Sequence, residues 1–245
     1  MSFDTDSYNE ATEREGAAVG AVAATGDLDA PVPSCPRWSL QKLVGHLGWV
    51  YNWVSEHLEQ RAATMLNRDD VPRPPQGQAV VDWYAEAHAR VLAALRDVGP
   101  DDEIWGWAGI NTGAFWHKRL AHESLIHRWD AEYAVGQPGS LDSDLAADGV
   151  EELAEAILPF QAGVTKDPLP EGTLHLHRTD GDGEWLWRID EGRFVSERIH
   201  ARGDVAVRGT GEQLDLLLWG RIEPGAVEVF GESEALTAWT TLSRR

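Results

Sequence analysis

A chain of 245 residues that is 42% apolar can bury the core of one large domain or two small ones. Its net charge of −20 works against nucleic acid, whose binding relies on Lys and Arg neutralising phosphates, and against anionic membrane surfaces. One cysteine, Cys35, cannot make an intrachain disulfide or a Cys-based zinc site. The acidic N-terminus, MSFDTDSYNEATERE, lacks the apolar core of a secretory signal, and no apolar run approaches the ~18 residues of a membrane span. These features lead us to expect a cytoplasmic protein. The acidity itself reads as solubility by self-repulsion. The 12 tryptophans, several beside polar residues, point to core packing plus an aromatic-lined cleft.

In chain order, residues 7–25 read as a first helix, with Val19 and Val22 at helical spacing and Gly26-Asp27 ending it. PVPSCPRW breaks regularity with its prolines. Ser39 then caps a long helix, LQKLVGHLGWVYNWVSEHLEQRAATML, whose Leu40, Leu43, Val44, Leu47, Val50 and Val54 form one apolar face. A third helix is expected over roughly 77–98, a fourth from Trp116 to about Val135, and a further one over 142–160. These helices suggest a bundle. Residues 158–172 read as a linker. Beyond it GTLHLHRTD, GEWLWRID, GRFVSERIH, DVAVRG and AVEVFG alternate as strands. TGEQLDLLLWGRI, capped by Thr210, and ESEALTAWTTL read as helices. The expected organisation is a helix bundle over 1–162 and a small α+β domain over 170–245.

The fourth helix, WHKRLAHESLIHRWD, carries the densest ionisable chemistry. Glu123 and His127 are four residues apart, so they share a helix face and can share a divalent metal. Two protein ligands hold an ion poorly, and a third must come from elsewhere. His46 is the best candidate: it sits on another long helix at the border of the apolar face, between Gly45 and Gly48. Those glycines cost about 1 kcal/mol each inside a helix and make sense where backbones or a ligand approach closely. A core histidine bonded to a carbonyl is the competing reading for His46. Two histidines and a carboxylate suit Zn²⁺ and related ions, with positions left for water or substrate. Asp130 is either an outer partner that orients an imidazole or part of an exposed salt bridge with Arg128 or a neighbouring helix. His122 is expected to support or pack. His175 and His177 share one strand face and could bind a metal, but read better as a solvated face; His200, ending a strand, reads as surface or interdomain, and His57 and His88 as exposed. The pattern HExxH is absent, because His127 comes one residue too late after His122-Glu123.

PRWSLQKLVGHLGWV, followed about 75 residues later by RLAHESLIHRWDAE and then by a tail containing LDLLLWGR, resembles the mycothiol-dependent maleylpyruvate isomerase family. The resemblance implies a DinB-like metal-binding four-helix bundle followed by a small α+β domain similar to a sterol-carrier-like fold. It implies that His46, Glu123 and His127 bind a divalent metal, most often zinc. It also implies an arginine from the C-terminal domain, carried over best to Arg221, with Arg202 and Arg208 as alternatives. The implied thiol is mycothiol, of actinobacteria. The implied partners are thus a small-molecule thiol and an electrophilic substrate.

A free thiol has a pKa near ~8.5, and coordination to a dication deprotonates it. The thiolate can add to a cis double bond beside a carbonyl, allow rotation and leave as the trans product. In a transferase the adduct is released instead. Arg221 would meet the developing enolate charge, and Trp49 and its neighbours would line the thiol pocket. The alternatives are a metal-dependent hydrolase and a non-catalytic metal- or thiol-binding protein. The sequence sets neither substrate nor oligomeric state.

Overall fold

A computed structural model describes residues 3–231 and 233–243. The chain forms two compact units, which divide between Ser140 and Leu141. The first unit holds α1 (Thr5–Thr25), α2 (Leu40–Glu59), α3 (Ala79–Arg96) and α4 (Gly113–Ala134). The starts of α1, α2 and α4 are set by side-chain caps: Asp4, Ser39 and Thr112 each accept from a backbone N–H in the first turn. Helix α4 packs chiefly on α1, and α2 chiefly on α3.

Helix α2 stops short of the expected Leu66. Arg61 adopts a left-handed backbone (φ 47°), and its guanidinium caps the Leu58 carbonyl at 2.7 Å. The chain then folds back so that the Leu66 N–H donates to His57 Nε2 at 3.0 Å, while His57 Nδ1 donates to the Trp53 carbonyl at 2.8 Å. His57 is therefore fully buried rather than exposed. His88 is also drawn in, its Nε2 bonded to the Thr12 carbonyl at 3.1 Å. The two glycines of α2 mark close approaches. A Cβ on Gly48 would lie 2.6 Å from the Trp83 ring of α3, and one on Gly45 would lie 3.0 Å from Pro74.

The second unit begins with α5 (Ser143–Glu152), which the sequence reading assigned to the bundle ending at 162. It packs instead on α7 (Gly211–Leu218), and Glu151 accepts from Trp185 Nε1 at 2.7 Å. The expected linker over 158–172 is shorter than it looked. A π turn at Leu153–Ile157 leads directly into α6 (Leu158–Val164), with Pro159 in its first turn, where a missing N–H costs least.

The sheet has order β3-β2-β1-β4-β5, from β1 (Thr173–Arg178), β2 (Glu184–Asp190), β3 (Arg193–Glu197), β4 (Val205–Gly209) and β5 (Glu228–Phe230). Only the β1–β4 pairing is parallel. Glu191 and Gly192, both at positive φ, make the two-residue hairpin turn between β2 and β3. Alternation divides the sheet into two faces. Leu174, Leu176, Trp185, Trp187, Val205 and Val207 are buried, and Trp187 lies 6.4 Å from Trp239 of α8 (Ser233–Ser243). The opposite face carries His175 and His177. Thr210 caps α7 in a full capping box with Gln213. Among the described residues no helix is long and apolar enough to cross a membrane.

Replacing Gly48 tests the α2–α3 approach. Ala is favoured over Gly in a helix by about 1 kcal/mol, but overpacking a tight contact costs about 1–3 kcal/mol. Gly48→Ala is expected to lower the denaturant midpoint. Gly163→Ala in α6, where an added Cβ meets nothing within 4 Å, is expected to leave it unchanged or raise it. A stabilised Gly48→Ala protein would contradict the packing.

Candidate metal centre

Helix α4 sets Arg119, Glu123, His127 and Asp130 along one face at successive turns. Helix α2 brings His46 to the same place. The third contributor is the turn between α1 and α2, pinned by the Pro31–Ser39 bridge and by the Val32 N–H to Trp38 carbonyl bond of 2.9 Å. That turn supplies Ser34, Cys35 and Trp38.

The three expected ligands converge on one oxygen. Glu123 Oε1 lies 3.1 Å from His46 Nε2 and 3.3 Å from His127 Nε2. Donors held about 2.1 Å from one tetrahedral ion stand roughly 3.4 Å apart, so the observed spacing fits a shared ion with little movement. The donor chemistry also fits, since imidazole and carboxylate suit zinc and its neighbours. The other Glu123 oxygen accepts from Arg119 Nη2 at 2.6 Å. Burial alone would raise the Glu123 carboxyl, but Arg119 and His127 beside it outweigh that and hold it well below the usual carboxylate range.

Asp130 settles into the orienting role. It is fully buried, its Oδ2 lies 2.9 Å from His127 Nδ1, and its Oδ1 accepts from Ser34 Oγ at 2.5 Å. Arg128, the other partner considered for Asp130, pairs instead with Glu15 at 2.8 Å and Glu132 at 2.7 Å. An Nδ1–H donated to Asp130 aims His127 Nε2 toward Glu123 and His46. Burial alone would lower the His127 pKa; Glu123 and Asp130 outweigh it and push it up to about 9. Trp38 covers both imidazoles, its ring 4.8 Å from His46 and 5.9 Å from His127.

Other candidates fall elsewhere. His122 is buried away from the ligand face, its ring 6.1 Å from Tyr8. His117 ties Asn9 to the Val98 carbonyl. Trp49, one turn beyond His46, stacks on Trp53 at 5.9 Å beneath Arg68 at 5.5 Å. In the second unit, Arg221 Nη1 donates to the Trp219 carbonyl at 2.7 Å, and Arg208 pairs with Glu228 at 3.1 Å. The sequence reading missed Arg119 and Trp38. Arg119 was findable, because it precedes Glu123 by one helical turn.

The histidines read as surface are not scattered. His177 and His200 both bond to Glu184, at 2.6 and 2.8 Å, and His175 is buried beside them. His200 lies three residues beyond the end of β3 rather than ending a strand.

The His127–Asp130 contact predicts a pH signature in metal-free protein. A folded pKa raised above the unfolded value of about 6.5 stabilises the fold fully below that value. That contribution is lost as pH rises through about 9. An NMR titration should place the His127 inflection near 9, and Asp130→Asn should move it down by about one unit or more. An ordinary inflection in the unaltered protein would refute the coupling.

Residues 9–132 match the family profile described as the mycothiol maleylpyruvate isomerase N-terminal domain, and residues 144–238 match the C-terminal domain of the same family. The fold is similar to the crystal structure of the mycothiol-dependent maleylpyruvate isomerase, with a TM-score of 0.64 and 13% identity over 94% of this chain and 95% of that one. A stereoselective inverting sec-alkylsulfatase from Pseudomonas sp. aligns at a TM-score of only 0.30, with 16% identity over 85% of this chain and 46% of that one. No curated protein sequence matches the chain. Two profiles that together span both compact units place the chain in one family: it belongs to the mycothiol maleylpyruvate isomerase family.

Proposed function

We propose that the protein is a metal-dependent enzyme that uses mycothiol as its thiol, acting on an electrophile in which a carbon–carbon double bond is conjugated to a carbonyl. The observation that carries this reading is the convergence of His46 and His127 on one oxygen of Glu123. The first unit then corresponds to the DinB-like four-helix bundle of the resemblance, and the second to its sterol-carrier-like domain. His46, Glu123 and His127 hold the ion; the donor set accepts zinc, iron or nickel, and the family resemblance favours zinc.

When bound, such an ion lowers the pKa of a coordinated thiol and so supplies thiolate at neutral pH. The protein's own residues do the rest. Asp130 fixes the tautomer of His127, and Arg119 restrains the second oxygen of Glu123. Trp38 packs against both imidazoles. In the isomerisation the sulfur forms a bond to one alkene carbon, and the π pair moves onto the carbonyl oxygen. Rotation follows about the new single bond, the pair returns, and the carbon–sulfur bond breaks to release thiolate and the trans product. Thiol S-transfer shares the first bond-forming step and ends when a proton reaches carbon. Arg221 carries the role of meeting the developing oxyanion, and Trp49 that of contacting the thiol.

Metal analysis of the unaltered protein and of His127→Ala, alongside consumption of a maleylpyruvate-like substrate with and without mycothiol, tests the reading. The expected outcome is metal in the first protein, depleted metal in the second, and turnover only with thiol. Thiol-independent hydrolysis would sink the proposal. Arg221→Ala should retain its metal and lose about 10²–10³-fold in kcat, the usual scale for removing one oxyanion donor.

A further inference from the structure

The C-terminal sheet packs its tryptophan face on helices and gathers imidazoles on the other. His175 and His177 sit on β1 at i, i+2, and Glu184 of β2 is paired directly with His177. Residues 198–204 are irregular and lie back against β1. A Cβ on Gly203 would come within 2.9 Å of the His175 backbone nitrogen, so only glycine lets the segment approach this closely. That approach buries His175 and delivers His200 to Glu184.

We propose that His175, Glu184 and His200 form a second divalent-metal site, separate from the centre on α2 and α4, for a borderline ion of the zinc class. Their donor atoms all lie within 4.8 Å of one another. His200 Nδ1 is 2.8 Å from Glu184 Oε2, and His175 Nε2 is 3.9 Å from the same oxygen. The decisive feature is His175. Its side chain is more than nine-tenths buried and its Nε2 has no hydrogen-bond partner, although it points toward the carboxylate. An unmet buried polar atom costs about 1–3 kcal/mol, which a coordinated cation removes. His200 is the adaptable member: its side chain is 80% exposed on an irregular segment, so closing on an ion requires no movement of the sheet.

His177, His200 and Arg202 line a cavity of about 510 Å³ with His175, and Arg208 lines it too but is paired with Glu228. The guanidinium groups of Arg202 and Arg208 disfavour a hard ion held by charge alone. Imidazole donors select a borderline ion held by coordinate bonds. A bound ion would tie β1 and β2 to the segment that follows β3.

The test is equilibrium dialysis of the chelator-stripped full chain against micromolar Zn²⁺, with bound zinc counted per chain. His200→Ala and Glu184→Gln are the informative variants, because both side chains can change without opening the core. Circular dichroism confirms their fold. The expected result is loss of one equivalent of zinc in each, and loss of a further equivalent when His127→Ala is added. Zinc binding unchanged by both His200→Ala and Glu184→Gln would overturn the proposal. The His127→Ala count reports on the first centre alone, so the two readings fail separately.

Discussion

The first unit is organised around one largely buried carboxylate, that of Glu123. Taking a carboxylate out of water costs several kcal/mol unless its lone pairs are met. Glu123 meets that requirement with Arg119 on one oxygen and two imidazoles on the other. Each partner fixes a different piece of chain. Arg119 and His127 keep the interaction within α4, whereas His46 holds α2 against it. Asp130 then extends the network to Ser34 and so to the turn that carries Trp38. A fourth helix that is buried on nearly every side yet rich in charge is stable only because these charges are paired with one another.

The same pairing explains which parts of the fold were legible in sequence. Helix starts were readable where a side chain caps them, as at Ser39 and Thr210, because capping is local chemistry. Strands were readable because alternation is local too. Glu123 and His127 were readable as a pair through helical spacing. The misses turn on contacts that hydrophobic periodicity does not encode. The end of α2 depends on Arg61 reaching Asp97, and the burial of His57 depends on Leu66 folding back. The place of α5 depends on α7, 60-odd residues later, which no periodicity within α5 encodes. His175, Glu184 and His200 each look ordinary alone; strand register and the close approach at Gly203 make them a cluster.

The two imidazole clusters differ in how far their side chains are already held in place. Around Glu123 every donor has a fixed neighbour: Asp130 behind His127, Trp38 over both rings, Arg119 on the spare oxygen. Such partners set tautomer and direction before any ligand arrives. Around Glu184 the carboxylate is bonded by His177 and His200, but His175 has no partner and His200 is exposed. Coordination would therefore reorganise the second cluster more than the first, and its affinity should be lower for that reason alone.

Electrostatics constrain how substrate is recognised. A net charge of −20 repels an anionic substrate at long range. Screening confines that repulsion to roughly a Debye length, about 8 Å at physiological salt. Recognition of an anion must then be local and strong, supplied by positive groups close to it rather than by the surface field. The Glu123 network supports this division. Its arginine is already committed to the carboxylate, with Nη2 at 2.6 Å and the residue only 5% exposed. Arg119 thus neutralises Glu123, and a positive group that engages an anionic ligand must be a different one.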